Sequence, residues 1–277
     1  MSRIMRYYLV IWGLGSFALA VAFYFRWSFV EDFWPWSGGG YYGSEGDLTR
    51  LSFYFVSSVM AAIALPNVWL GLSGEFAAIT GGALNLALAF TGITIYMLQD
   101  YSTSADNRLL TSGVVVGAMA VVSVLLAVWS RRFAYKDQRP TPLPVRVAFG
   151  FFTIVLIVVG GMLVTKRPDT FPWTLRDEVS VVYGWVFLGA AAYFGYGVLV
   201  PKWHNACGQL LGFLAYDVVL ILPFLDHFDV ARGAQRTSLI LYTAVVVSSA
   251  LLAVYYLFLH PRTRLWRSRP VEALEAT

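Results

Sequence analysis

One cysteine, Cys207, stands in the whole chain, so no internal disulfide, CxxC redox pair or thiolate metal cluster can be built from it. Histidine is almost as scarce. His204, His227 and His260 show neither an HxxxH nor an HExxH spacing, so no metal site and no cofactor is expected. Neither a GxSxG elbow nor a P-loop occurs. Charge is the third shortage: Asp, Glu, Lys and Arg make up 13% of the 277 residues, against about 25% in ordinary soluble domains. So few charges cannot cover a water-facing surface.

What fills the sequence is apolar. Hydrophobic residues reach 58%, aromatics 17%, and mean hydropathy is +0.64. A spanning helix needs about 20 mostly apolar residues. Eight runs meet that need: 7–24, 51–72, 76–98, 109–129, 147–165, 179–200, 207–225 and 238–259. They are continuous rather than alternating, which favours helices over barrel strands. The expected fold is therefore all-α, a polytopic membrane helix bundle of about eight transmembrane helices. Ala18-Leu19-Ala20 resembles a signal-peptidase site, but the apolar run continues through Val21–Phe25, so the first span is read as retained.

The net charge of +4 and pI near 9.2 do not call for nucleic acid. Basic residues cluster in loops after the even-numbered spans, above all at Arg131–Arg146 and Arg262–Arg269. Such clusters stay in the cytoplasm, so both termini are expected inside, in the plasma (cytoplasmic) membrane.

The halves resemble each other. Residues 1–133 and 147–267 each hold four spans, joined by a basic linker over 134–146 and followed by a tail over 268–277. Phe33-Trp34-Pro35-Trp36 after the first span matches Phe171-Pro172-Trp173 after the fifth, and Ser123–Val128 matches Ser249–Val254. Four is even, so the expected duplication is a parallel 4+4 repeat about an axis along the membrane normal. A Gly- and Tyr-rich stretch over 37–43 reads as an insertion in the first copy. Small-residue pairs four apart, Gly113/Gly117, Ala191/Gly195 and Ser249/Ala253, read as helix-packing positions within the bundle or, in a sharper reading, a homodimer face.

Asp217 is the carboxylate that falls inside a predicted span. A charge there costs about 2.5–3.5 kcal/mol on insertion scales, so it should face the interior. Gln209, Asn205 and the adjacent Tyr216 extend a polar stripe toward it, and Pro223 should bend the same helix. These four polar residues, together with Asn85 in the first half, are the candidates for a ligand or proton path. In the first half Ala89 stands opposite Asp217, and Asn85 is the nearest intramembrane polar residue. A second candidate group lies on the predicted outer loops: Glu31, Asp32, Trp36, Asp169, Trp173 and Asp177. The Pro-Trp corners there are expected to lie along the interface. His204, next to Trp203, reads as an interface residue.

Three functions fit. The first is a non-catalytic integral membrane subunit or scaffold, holding a lipid or other apolar ligand between the repeats. Its partners would be the lipid bilayer and other membrane subunits or a second copy. The second is a transporter or channel for a small or lipophilic solute, with Asp217 as coupling acid. The third is a membrane enzyme acting on a lipid-linked substrate through the outer-loop acids. No nucleophile–base pair can be assigned, so an enzyme is the least favoured.

Overall fold

In a computed structural model, residues 2–33, 35–36 and 46–265 are described. Trp34, the stretch 37–45, Arg267, Arg269 and the tail 268–277 lie outside the described residues, as do the side chains of Glu31 and Asp32.

The eight apolar runs form eight helices: α1 (Ser2–Tyr24), α2 (Gly46–Ser73), α3 (Ile79–Ser104), α4 (Asn107–Ser130), α5 (Leu143–Val164), α6 (Asp177–Leu199), α7 (Trp203–His227) and α8 (Gly233–Val254). Each belongs to a helical stretch long and apolar enough to cross a membrane, and the chain is a multi-pass membrane protein. Among the described residues no strand forms, beyond one isolated bridge between Pro140 and Lys202. Most helices outrun their apolar stretch because polar end residues still have helical work to do. The Asp106 side chain accepts from the Arg108 N–H and caps α4, and Asp177 and Glu178 occupy the positive first turn of α6. Gly74 ends α2 at φ +67, with its N–H on the Leu70 carbonyl at 2.8 Å.

Consecutive helices pack as four pairs, α1 on α2, α3 on α4, α5 on α6 and α7 on α8. Two further contacts, α3 with α6 and α2 with α7, join the halves. The central layer is thus α2, α3, α6 and α7, flanked by the other four. Exchanging the halves maps every one of these contacts onto another. The flanking helices turn Ile11, Phe17, Val121, Leu125, Ile154, Phe151, Leu241 and Leu251 outward. In water such a surface would aggregate. In hydrocarbon it is the natural exterior.

Close backbone approach sets the crossings. A methyl on Gly184 would sit 2.8 Å from the Gly160 carbonyl oxygen, and one on Gly189 would sit 2.5 Å from Asn85 Oδ1. Pro66 lies inside α2 and leaves the Ala62 carbonyl without its helical donor. Gly212 of α7 approaches that carbonyl. The small-residue pairs are used within the chain: Gly113 and Gly117 lie against Met97, Leu98 and Thr94 of α3, Gly195 faces Thr153 of α5, and Ala191, Ser249 and Ala253 are buried.

Candidate functional site

Asp217 sits where the apolar pattern placed it, 1% exposed on α7. Neither carboxylate oxygen has a hydrogen-bond partner. The Ser249 hydroxyl of α8 lies beside it, with its proton directed at the carbonyls of Val245 and Val246. Pro223, six residues on, leaves the Val219 carbonyl without a backbone donor. Tyr216 turns toward α2, with its ring 6.1 Å from that of Phe55 and its hydroxyl beside Ser58.

The expected stripe leading to this acid does not hold together. The Asn205 amide donates to the Val200 carbonyl at 3.1 Å, and the Gln209 amide donates to the Tyr193 carbonyl of α6. Both therefore serve the α6–α7 junction, whereas Asp217 faces α8. Eight residues at 100° each carry a side chain well round a helix, which is why Gln209 and Asp217 part. Asn85 lies at the α3–α6 crossing against Gly189.

A second polar site, one that the sequence reading passed over, lies at the end of the bundle where the interhalf linker docks. Glu75, between α2 and α3, is 0% exposed. Its Oε2 meets His204 Nδ1 at 2.6 Å and accepts the Lys136 N–H at 3.0 Å. His204 Nε2 lies 3.6 Å from Asp137 Oδ2. Asp137 is chelated by Arg139, whose Nε reaches its two oxygens at 2.9 and 2.8 Å. Burial pushes the Asp137 carboxyl up, but the Arg139 hydrogen bonds and charge outweigh it and hold the group below its ordinary value. The same pairing raises Arg139. Tyr135, half-buried in the linker, is pushed up by burial and by its contact with the Tyr196 hydroxyl at 3.5 Å.

This cluster is a clamp. It ties the α2–α3 turn of the first half to the linker and to the start of α7 in the second. Backbone bonds reinforce it: the Trp203 N–H donates to the Arg139 carbonyl and the Thr141 N–H to the Pro201 carbonyl, at 2.8 and 2.9 Å. His204 thus takes part in a polar contact between the halves, and Trp203 beside it is buried at 2% exposure. Both imidazole nitrogens face carboxylates already engaged elsewhere, so the ring has no open position for a nucleophile. Among the described residues no group of three or more His, Cys, Asp and Glu could hold a metal ion.

The outer-loop candidates divide. Asp169, Trp173 and Asp177 line one pocket of about 190 Å³ at the opposite end, together with Lys166, Arg167 and Gln235. Lys166 pairs with Asp177 at 3.2 Å. The Pro-Trp corner of the second half does not lie along the interface. Phe171 and Trp173 are each 2% exposed and enter the bundle, where Phe171, Phe55, Tyr183 and Phe187 pack ring on ring. The indole N–H of Trp173 finds Ser52 Oγ at 3.0 Å, which removes the penalty for burying that donor. Trp36 joins a different group, with its indole N–H on Asp100 and its ring 5.6 Å from Tyr96.

No protein-family model, no curated protein and no solved structure matches the chain.

Proposed function

We propose that this protein is a proton-coupled carrier or channel for a small or lipophilic solute in the plasma (cytoplasmic) membrane, with Asp217 as the acid that takes up and releases the proton. One observation carries the reading: a carboxyl group 1% exposed inside a membrane span, with neither oxygen hydrogen-bonded. A structural acid would be held by a tyrosine or a cation on a neighbouring helix, whereas Asp217 has only the Ser249 hydroxyl beside it, whose proton is directed at carbonyls of its own helix. Retaining a costly group that anchors nothing is the mark of proton relays and coupling sites. The proline-broken turn beyond it gives α7 a place to bend as the group changes charge.

The remaining architecture agrees with this reading. The basic linker at the clamp end favours a cytoplasmic position for that end and for both termini. The exchange symmetry of the helix contacts and the matching sequence of the halves support a duplicated 4+4 origin.

Reconstitution tests it. Vesicles loaded with a pH-sensitive dye and driven by a potassium diffusion potential should acidify with the wild-type protein. Asp217→Asn should slow that entry at least tenfold at equal incorporation. Equal rates would remove Asp217 from the mechanism.

A second reading, a non-catalytic subunit or scaffold, is favoured by the saturated clamp, which fixes both halves and leaves no vacant ligand position. Blue-native electrophoresis after mild solubilisation separates the two. A monomer-sized particle speaks against the scaffold, and a larger assembly speaks for it.

A further inference from the structure

The clamp end also carries a groove that the Asp217 reading does not use. Its volume is about 340 Å³, and Arg6, Gly74, Phe76, Phe133, Ala134 and Lys136 line it. Two cations are fixed there by the last carbonyls of α2. Arg6 donates through Nε to the Gly71 carbonyl at 2.9 Å and through Nη2 to that of Leu72, while Lys136 Nζ donates to that of Ser73 at 2.6 Å. Cations at a helix C-terminus are stabilising in themselves, and this explains part of the arrangement.

It does not explain the rest. The two cations converge on one point: a methyl on Gly74 would sit 3.0 Å from Lys136 Nζ and 3.6 Å from Arg6 Cζ. Those bonds leave Arg6 Nη1 and two of the three ammonium protons for another acceptor. Among the described residues no free carboxylate is at hand to take them. Glu75 is fully buried against His204, and Asp137 is chelated by Arg139. Exposed Arg3, Arg131 and Arg132 are near in sequence to the lining and add to the positive field. One wall is aromatic, with the Phe76 ring 5.4 Å from Phe133 and 5.8 Å from Trp129.

We propose that this groove binds an anionic phospholipid, with the headgroup phosphate between Arg6 and Lys136 and the glycerol and upper acyl carbons against Phe76 and Phe133. The charge is complementary. The groove lies at the ends of spanning helices, where headgroups sit. Basic pockets of this kind recognise acidic lipids. Inorganic phosphate offers the same oxygens without the apolar portion, and the experiment separates the two.

Native mass spectrometry of the full-length protein, equilibrated with mixed micelles of phosphatidylglycerol and phosphatidylcholine, reads the retained lipid. The wild type should keep phosphatidylglycerol about tenfold over phosphatidylcholine. Lys136→Gln leaves the Arg6 cap intact and should cut that preference at least fivefold, with a melting temperature lower by no more than about 3 °C. Arg236→Gln, at the opposite end, should not alter it. Equal retention of the two lipids would overturn the proposal. So would an unchanged preference in Lys136→Gln, or displacement of the lipid by millimolar inorganic phosphate.

Discussion

Two carboxylates in this protein are equally hidden from solvent and differently placed. Glu75 at the clamp is 0% exposed and Asp217 within α7 is 1% exposed. Glu75 is met by an imidazole and a backbone N–H, so its carboxyl group is hydrogen-bonded where it lies. Asp217 is met by no hydrogen bond at either oxygen. His204 and Asp217 stand thirteen residues apart on α7, about 20 Å by helical rise. Burial by itself therefore says little about role. A buried acid with saturated partners is a fastening, and the buried acid with none is the one we propose as the proton carrier.

The largest expected effect breaks the fastening. Glu75→Ala leaves His204 and the Lys136 N–H without their partner in a closed space. Loss of one member of a buried pair costs about 3–5 kcal/mol, and a melting temperature lower by about 10 °C follows for a chain of this size. Thermal unfolding in detergent checks this. A shift below 2 °C would mean that the clamp does not hold the halves together. The double variant Glu75→Ala/His204→Ala should lose less than the sum of the single losses, since the partners no longer strand each other.

The opposite sign is expected at Asp217. Asp217→Asn removes a group that is expensive to bury and anchors nothing. Its melting temperature should equal or exceed that of the wild type, with a gain of up to about 2 kcal/mol. A fall of 5 °C would show Asp217 to be structural, and the contrast between the two acids would collapse.

The sequence makes one of these acids obvious and hides the other, for a physical reason. Asp217 interrupts a long apolar run, and hydropathy alone exposes it. Glu75 stands in a three-residue gap, Ser73-Gly74-Glu75, between two such runs, where an acid reads as ordinary loop. Its partners are 61 and 129 residues away. One local signal was present: a gap that short, bounded by Leu72 and Phe76, cannot lift a side chain far from the packed helix ends. The eight helices themselves were legible because lipid allows so few alternatives. Their ends were less so, since end residues such as the cap Asp106 and the first-turn Asp177 are polar and fall outside an apolar window. The inward turn of Phe171 and Trp173 was not legible, because it depends on Ser52, 121 residues away, to receive the indole proton.

That indole bond gives a smaller prediction. Trp173→Phe keeps most of the apolar contact and strands the Ser52 hydroxyl. A loss of about 1–2 kcal/mol is expected, read as a drop of a few degrees in melting temperature. Ser52→Ala, which removes the acceptor and leaves the N–H buried, should cost about as much. If Trp173→Phe leaves stability unchanged while Ser52→Ala does not, the ring is held by packing rather than by its hydrogen bond.

The smallest effect belongs to the outer layer of the clamp, and pH makes it visible. Arg139 holds the Asp137 carboxyl below the value it has in the unfolded chain, which is about 3.9. A group depressed on folding contributes stability that is whole above the unfolded value and disappears as pH falls through the folded one. Asp137→Asn should therefore lower the melting temperature by a degree or two at pH 7, because the pair is partly solvent-screened and worth under about 1 kcal/mol. The gap between variant and wild type should hold from pH 7 to about pH 5 and close as the pH drops below about 4. Glu75→Ala removes a buried pair instead, so its deficit at pH 7 should be several times larger. Equal deficits in the two variants would mean that the half-buried Asp137–Arg139 pair carries the clamp and that burial of Glu75 adds nothing to it.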